Sequence, residues 1–373
     1  MEQTVYFGKI GVWNKIYTEL KILQLIDSLE IGGAERMCVN MANVFSNNRT
    51  ENILICTRKK GMLASFLPKN TLLVELNKKS LFDLIGLFKL LNLVRKERPT
   101  LVHAHSTSIY WGCIIKLFFP RIKLLWHDHF GLAESLKNSD RRAIRSISRF
   151  IDGIVSVNEI LLLWSKRNMN TKNVVFLKNF PYLPDLNISP QKDKNIILHL
   201  ANLRPQKDHH TLIEAIRHLK SRISMPFEVW CAGKDFSDDY SKDLNSKISE
   251  YQLEDCIKFL GSVEDTNDIL KKASIAILCS KSEGLPVSLL EYGLAGLPVV
   301  ATNVGQCSEV LGNGKYGILV PPSNPILLAE GIERFMVEKD IALLMGMEFR
   351  KYVEQEYGAQ KFMKEYLEFI YYL

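Results

Sequence analysis

Residues 279–302 read CSKSEGLPVSLLEYGLAGLPVVAT. The apolar run SIAILCS (274–280) ends inside this stretch as a strand ends. A Ser-Glu-Gly-Leu loop follows, and Pro286 suits the first residue of a helix, where its missing N–H costs nothing. Gly296 and Pro298 stop that helix, and PVVAT (298–302) starts another strand. Strand, loop, helix and strand in so short a space make one repeat of a parallel sheet. The first helical amides, Val287 to Leu289, are expected to be unpaired and to face the space above the strand ends. That is an anion site, suited to a diphosphate. Glu283 stands in the loop and Glu291 in the helix. A carboxylate accepts from two vicinal hydroxyls, which suits Glu291 to a ribose and Glu283 to a sugar. The plainer reading is a surface helix with incidental acids.

The same alternation extends both ways. Downstream lies GILVPP (317–322). Upstream lie NIILHLANL (195–203), FEVWCAG (227–233) and IKFLG (257–261). Between 179 and 195, NFPYLPDLNISPQKDKN holds three prolines and no periodicity, and reads as a linker. Before it a second series runs through KILQLIDSL (21–29), NILICT (52–57), LLVEL (72–76), TLVHAHS (100–106), IKLLWHDH (122–129), GIVSVN (153–158) and VVFLKNF (174–180). Apolar positions at Leu84, Leu87, Phe88, Leu91 and Val94 have helical spacing. Two doubly wound α/β domains are therefore expected. They are bounded at 1–185, with 1–20 a candidate extra arm, and at 186–347. A helical segment, 348–373, carries Tyr352, Tyr357, Phe362, Tyr366 and Phe369 among charges.

The chain has 373 residues, 47% of them hydrophobic and 24% charged, which is globular and long enough for two cores. Seven cysteines stand singly with no CxxC pair, which argues against a disulfide framework and a structural zinc site. No signal peptide or membrane-length apolar run is read, so a cytoplasmic protein is the default. The net charge of +7 is uneven: residues 1–180 hold 27 Lys and Arg against 14 Asp and Glu. A basic front half suits an anionic membrane surface, a lipid phosphate or nucleic acid, or is simply solvated. No basic run interleaved with aromatics supports nucleic acid. Lys137, Arg141, Arg145 and Arg149 recur every four residues and would form one basic stripe on a helix, suited to the inner membrane face.

Two patterns mislead. Gly312-Asn-Gly-Lys-Tyr-Gly317 matches GxGxxG but leads into a strand instead of a helix, so it is read as a turn. His103, His105, His127 and His129 form two HxH pairs without the further spacing of a zinc signature, and no metal is expected there.

Glu283 to Glu291 matches the E-x7-E motif of glycosyltransferase family 4, and the chain resembles that family. The likeness takes in ATNVGQCSEV, GKYGILVPP, LANLRPQKDHHTLIEAI, CAGK, IKFLGSVED and IDSLEIGGAERMCVNMA, in order over about 20–350. It implies a GT-B fold, with two Rossmann-like domains facing across a cleft and a C-terminal helix crossing back to the first. It implies a retaining transferase of hexosyl type. The donor is a nucleotide-diphospho-sugar, UDP- or GDP-linked. The acceptor is a glycan or polyprenyl-diphosphate-linked glycan, in bacterial surface polysaccharide assembly. By position, Glu291 would hold the ribose and Glu283 the transferred sugar. Gly284, Leu285, Pro286, Val287 and Ser288 would line its hydroxyls, and Arg204 and Lys207 would neutralise the diphosphate. Gly32, Gly33, Gly233, Lys234 and Gly261 would complete the donor site, the last three near the base. His127 would face the donor sugar, with His105 and Asp128 as weaker candidates. No cofactor or metal is implied. One departure stands out: the family's Gly-Arg is Ala201-Asn202 here, with an arginine two residues later at Arg204. An epimerase on the same fold would turn over without an acceptor. A non-catalytic nucleotide-sugar binder would be expected to lack motif residues that are present here.

Overall fold

The computed structural model describes residues 20–30, 32–80, 83–130, 141–183, 195–263 and 265–373. The proposed arm at 1–20 lies almost wholly outside them, as do Lys137 and most of the linker. The chain divides into two compact units, one of residues 1–180 with 359–373, the other of residues 181–358.

In the first unit, β1 (Lys21–Ser28), α1 (Gly33–Asn47), β2 (Glu51–Lys59), β3 (Leu72–Glu75), α2 (Leu84–Glu97), β4 (Leu101–His105), α3 (Ile109–Phe118), β5 (Lys123–Asp128), α4 (Arg142–Ile147), β6 (Gly153–Ser156), α5 (Glu159–Asn168) and β7 (Val174–Phe176) alternate. All strand pairs are parallel, in the order β3-β2-β1-β4-β5-β6-β7. Local chemistry sets the helix ends. Asp83 accepts from the Gly86 amide at 2.9 Å and so starts α2, and Arg98 in the left-handed region stops it. Asn158 caps α5 through the Leu161 amide.

The second unit runs β8 (Ile196–Leu200), α6 (His209–Arg222), β9 (Glu228–Ala232), α7 (Asp239–Glu250), β10 (Ile257–Gly261), α8 (Asn267–Lys272), β11 (Ile275–Leu278), α9 (Val287–Leu294), β12 (Val299–Thr302), α10 (Cys307–Val310), β13 (Ile318–Val320), α11 (Pro325–Val337) and α12 (Lys339–Glu356). Its parallel sheet has the order β10-β9-β8-β11-β12-β13. Alternation along the strands splits the core in two. Ile197, Val229, Ile275, Ile277 and Val300 pack with α6, α7 and α11. Leu198, Ala276, Leu278, Val299 and Ala301 pack with α9, α10 and α12.

The final helix, α13 (Ala359–Tyr371), belongs to the first unit. Its Phe362, Met363, Tyr366 and Leu367 are buried. Phe362 meets Phe180 at 4.7 Å between centroids and Tyr366 meets Phe45 at 5.7 Å. The chain therefore returns at 359 and not at 348. Residues 348–356 finish α12, whose Phe349 and Val353 are committed to the second unit's core, and the second unit ends at Gly358. All seven cysteines are free and buried.

Candidate active site

In a doubly wound sheet, ligands sit beyond the carboxyl ends of the strands where the strand order reverses. In the second unit that point lies between β8 and β11, which pair directly. The two loops that leave it are 201–208 and 279–286, and they hold the residues marked out by the sequence. Lys207 Nζ meets Glu283 Oε1 at 2.5 Å, and the Ser280 hydroxyl donates to the same oxygen at 2.6 Å. The Glu283 side chain is only 9% exposed. Two further links bind the loops. The Lys281 amide donates to the Gln206 carbonyl at 2.8 Å, and Lys281 Nζ lies 3.2 Å from the carboxylate of buried Asp208. Asp208, in the left-handed region, also accepts from Thr211 and Ser323. Lys281, Asp208 and Ser280 had no motif to mark them, because their role appears only once the two loops are neighbours.

Beside this pair begins α9. Pro286 is its N-cap and not its first residue, with the helix starting at Val287. The Leu289 amide bonds back to the Pro286 carbonyl at 3.1 Å, so the expected trio of open amides is reduced. Val287 and Ser288 are left without acceptors among the described residues. Leu285 is partly buried and packs on the core below. Glu291 lies on the first turns of α9 and is half-buried. Gly284 has open space where a Cβ would stand. The loop is clamped from the far side by Gly305. Its positive φ and close approach to the Glu283 carbonyl leave no room for a side chain, and the Gln306 amide donates to the Gly284 carbonyl at 3.2 Å. Gly305 was missed by motif reading.

The third side of the site follows β9. Gly233 lets its loop lie against Ala201, where a Cβ would overlap the Ala201 carbonyl. The Gly233 amide bonds the carbonyl of Gly261, itself at positive φ. Asn202, which departs from the family's arginine, accepts from the Lys234 amide at 2.8 Å and so ties the two loops together. Arg204 stacks its guanidinium 4.1 Å from the Phe236 ring, with Lys234 Nζ 5.1 Å from the same ring. Two cations thus share one aromatic platform.

In the first unit, Gly32 is the N-cap of α1 with an extended backbone, and Gly33 has nothing within reach of a Cβ. A Cβ on Gly32 would run into the Glu35 carboxylate, the movable end of a flexible side chain. His127, on β5, is fully buried with His103 and His105 on β4. His103 Nδ1 meets the Tyr366 hydroxyl at 2.8 Å, and His103 Nε2 meets His127 Nδ1 at 3.2 Å. His105 meets His129 at 3.2 Å and Gln24 Oε1 at 3.0 Å. Burial holds His103 and His129 at about 3 and pushes His105 and His127 well down, so all four are neutral at pH 7. Nitrogens of His103, His105 and His127 lie within 4.8 Å of one another. The His103 and His105 rings are stacked 4.6 Å apart and 13° from parallel, and both His103 nitrogens are engaged. The in-plane lone pairs of those two parallel rings do not converge on one point.

Asp128 is buried and held bidentately by Arg141 at 2.7 and 2.8 Å. Arg141 is also packed 4.8 Å from the Trp126 ring and 4.9 Å from that of Trp164. It precedes α4, in the left-handed region. The basic stripe therefore loses Arg141 to the interior, and Lys137 lies outside the described residues. The glycine-rich decoy at 312–317 is a turn entering β13, as read.

Two family models cover most of the chain: Glycosyltransferase Family 4 over residues 31–171 and Glycosyl transferases group 1 over residues 186–354. The chain belongs to glycosyltransferase family 4. The capsular polysaccharide biosynthesis glycosyltransferase CapH of Staphylococcus aureus is 22% identical over 301 residues, covering 78% of this chain and 83% of CapH. A Campylobacter jejuni alpha-1,4-N-acetyl-D-galactosaminyltransferase, named for an undecaprenol-diphosphate-linked glycan, is 24% identical over 84% of this chain and 88% of its own. The crystal structure of Anabaena HepE with UDP and glucose superposes with a TM-score of 0.73 at 20% identity, covering 95% of this chain and all of HepE. The fold of this glycosyltransferase is thus that of the GT-B enzymes. No helix among its described residues is long and apolar enough to cross a membrane.

Proposed function

We propose that this glycosyltransferase moves a hexosyl group, with retention, from a UDP- or GDP-sugar to a hydroxyl of a glycan or polyprenyl-diphosphate-linked glycan in bacterial surface polysaccharide assembly. The observation that carries this is the Lys207–Glu283 pair at the strand crossover of the second unit, beside the open amides of Val287 and Ser288. A cation, a carboxylate and a helix N-terminus at one point match a diphosphate joined to a sugar. UDP bound to HepE, and the lipid-linked glycan in the Campylobacter enzyme's name, support the choice of donor and acceptor.

In the reaction the bond from the anomeric carbon to the diphosphate oxygen breaks, and a bond to the acceptor oxygen forms on the same face. The acceptor proton passes to the departing phosphate oxygen. Charge grows on the diphosphate, where Lys207, Arg204 and the two amides meet it. The diphosphate competes with Glu283 for Lys207, which frees the Glu283 carboxylate to hold a hydroxyl of the transferred sugar. Glu291 holds the ribose. These cations supply the charge neutralisation without a metal.

The test is release of UDP or GDP from a panel of nucleotide sugars with and without polyprenyl-diphosphate-linked glycan. The anomeric proton coupling of the product is read by NMR. Acceptor-dependent release with an α-product from an α-donor is expected. Release that ignores the acceptor and yields an epimerised donor would place the protein with the epimerases.

A further inference from the structure

Among the described residues the Tyr366 hydroxyl has one partner, His103 Nδ1, and His127 Nε2 has none although it is fully buried. Between them lies a single contact, His103 Nε2 to His127 Nδ1. Each neutral imidazole carries one N–H, so the whole chain runs in one of two directions. If Tyr366 donates to His103 Nδ1, then His103 carries its proton on Nε2 and donates to His127 Nδ1. His127 then presents Nε2–H, and only that one group is unsatisfied. In the reverse direction the Tyr366 O–H is a buried donor with no acceptor, and the His127 Nε2 lone pair is unsatisfied as well. Leaving one more buried polar group unmade costs about 1–3 kcal/mol, which selects the first direction.

We infer that Tyr366 on α13, acting through His103, fixes His127 as the Nε2–H tautomer, a hydrogen-bond donor to a substrate oxygen and not a general base. The inference rests on the proposed transferase function and on the reading, implied by the family resemblance, that His127 meets substrate. His127 has no exposed surface, and the half-buried His129 ring packs 3.9 Å from its own. A substrate oxygen therefore reaches Nε2 only where the packing around His127 opens. Burial keeps the whole chain of rings neutral, with His103 held at about 3, so the tautomer and not protonation decides what His127 offers. Tyr366 is a positioning residue in this scheme. It also explains a polar atom on the otherwise apolar buried face of α13, where Phe362, Met363 and Leu367 are its neighbours.

The test uses the full chain labelled with 15N-histidine and long-range proton–nitrogen spectra at pH 7.5, with the His127 signals assigned from a His127→Gln variant. His127 is expected as the pure Nε2–H form in wild type. It is expected as a mixture, or as the Nδ1–H form, in Tyr366→Phe, which keeps the ring packed on Phe45 and Phe362. His103→Gln breaks the chain of donors from the strand side and gives a second readout if the first variant folds poorly. A wild-type Nδ1–H pattern, or a pattern that Tyr366→Phe leaves unchanged, overturns the inference. Kinetics with the donor selected by the nucleotide-release panel separate it from the reading beneath. His127→Gln and Tyr366→Phe are both expected to lower kcat roughly five- to tenfold, the loss of one neutral hydrogen bond, with a smaller change in KM. Loss in His127→Gln alone overturns the positioning role. Wild-type turnover in His127→Gln overturns the reading of His127 as a substrate contact, while Glu291 and Lys207 still test the donor site.

Discussion

Lys207 and Glu283 are 76 residues apart in sequence and 2.5 Å apart in space. Each was legible as a loop residue after a strand, and their roles came from a resemblance. Their meeting depends on β8 and β11 being neighbours, which the order of strands along the chain does not state. Because charge on the leaving diphosphate is largest in the transition state, Lys207→Ala is expected to lower kcat more than donor affinity. Steady-state kinetics with both substrates varied check this, and an effect confined to KM would place Lys207 outside the charge-bearing step. Arg141 was misread for the opposite reason. Its spacing from Arg145 and Arg149 is helical, yet its partner Asp128 and its aromatic neighbours lie on other elements. Arg141→Gln leaves a carboxylate that is 1% exposed without its counter-charge. A loss of about 3 kcal/mol is expected, seen as a lower melting temperature, where a solvated stripe residue would cost almost nothing.

Elements were read more securely than contacts. Val-, Ile- and Leu-rich runs bounded by Gly, Pro and Asn marked the strands of both sheets, because strands covered on both faces must be apolar throughout. Helix ends were less secure: Pro286 caps α9 from outside, and α12 extends beyond the 347 boundary because Phe349 and Val353 still have a core to fill. The aromatic spacing of the tail gave α13 its buried face but not its starting point. Phe362 is 3% exposed, packs tilted against Phe180 and stacks on Tyr366. Phe362→Ala is therefore expected to cost about 3–5 kcal/mol. The loss belongs to the first unit, so hydrogen exchange should speed up in β1, β4 and β5 while β8 and β11 keep their protection. Equal loosening of both sheets, or none, would contradict the assignment of α13.

At the scale of the whole molecule, buried neutral histidines dominate the response to acid. His103, His105, His127 and His129 in the first unit and His199 and His209 in the second are all pushed down by burial, His199 to about 4. In the unfolded chain these rings take protons near pH 6.5. Below that pH the unfolded state binds protons that the fold refuses, so stability falls as pH drops from about 6.5 towards 4. These groups contribute no slope above about 7.5. Each adds up to about 1.4 kcal/mol per pH unit, and melting temperatures at pH 7.5, 6.5, 5.5 and 4.5 should fall with increasing steepness. Transfer itself is expected to survive EDTA, because the proposed mechanism gives the charge work to Lys207, Arg204 and the α9 amides; loss reversed by added Mg2+ or Mn2+ would contradict that assignment. The central claim, that the crossover loops of the second unit hold a nucleotide-diphospho-sugar, is tested most directly by titrating UDP and GDP into the full chain in a calorimeter, wild type beside Glu291→Ala. One nucleotide should bind wild type with 1:1 stoichiometry and bind the variant about ten- to a hundredfold more weakly, the loss of a charged hydrogen-bond pair. Binding of neither nucleotide, or equal binding by both proteins, would contradict it.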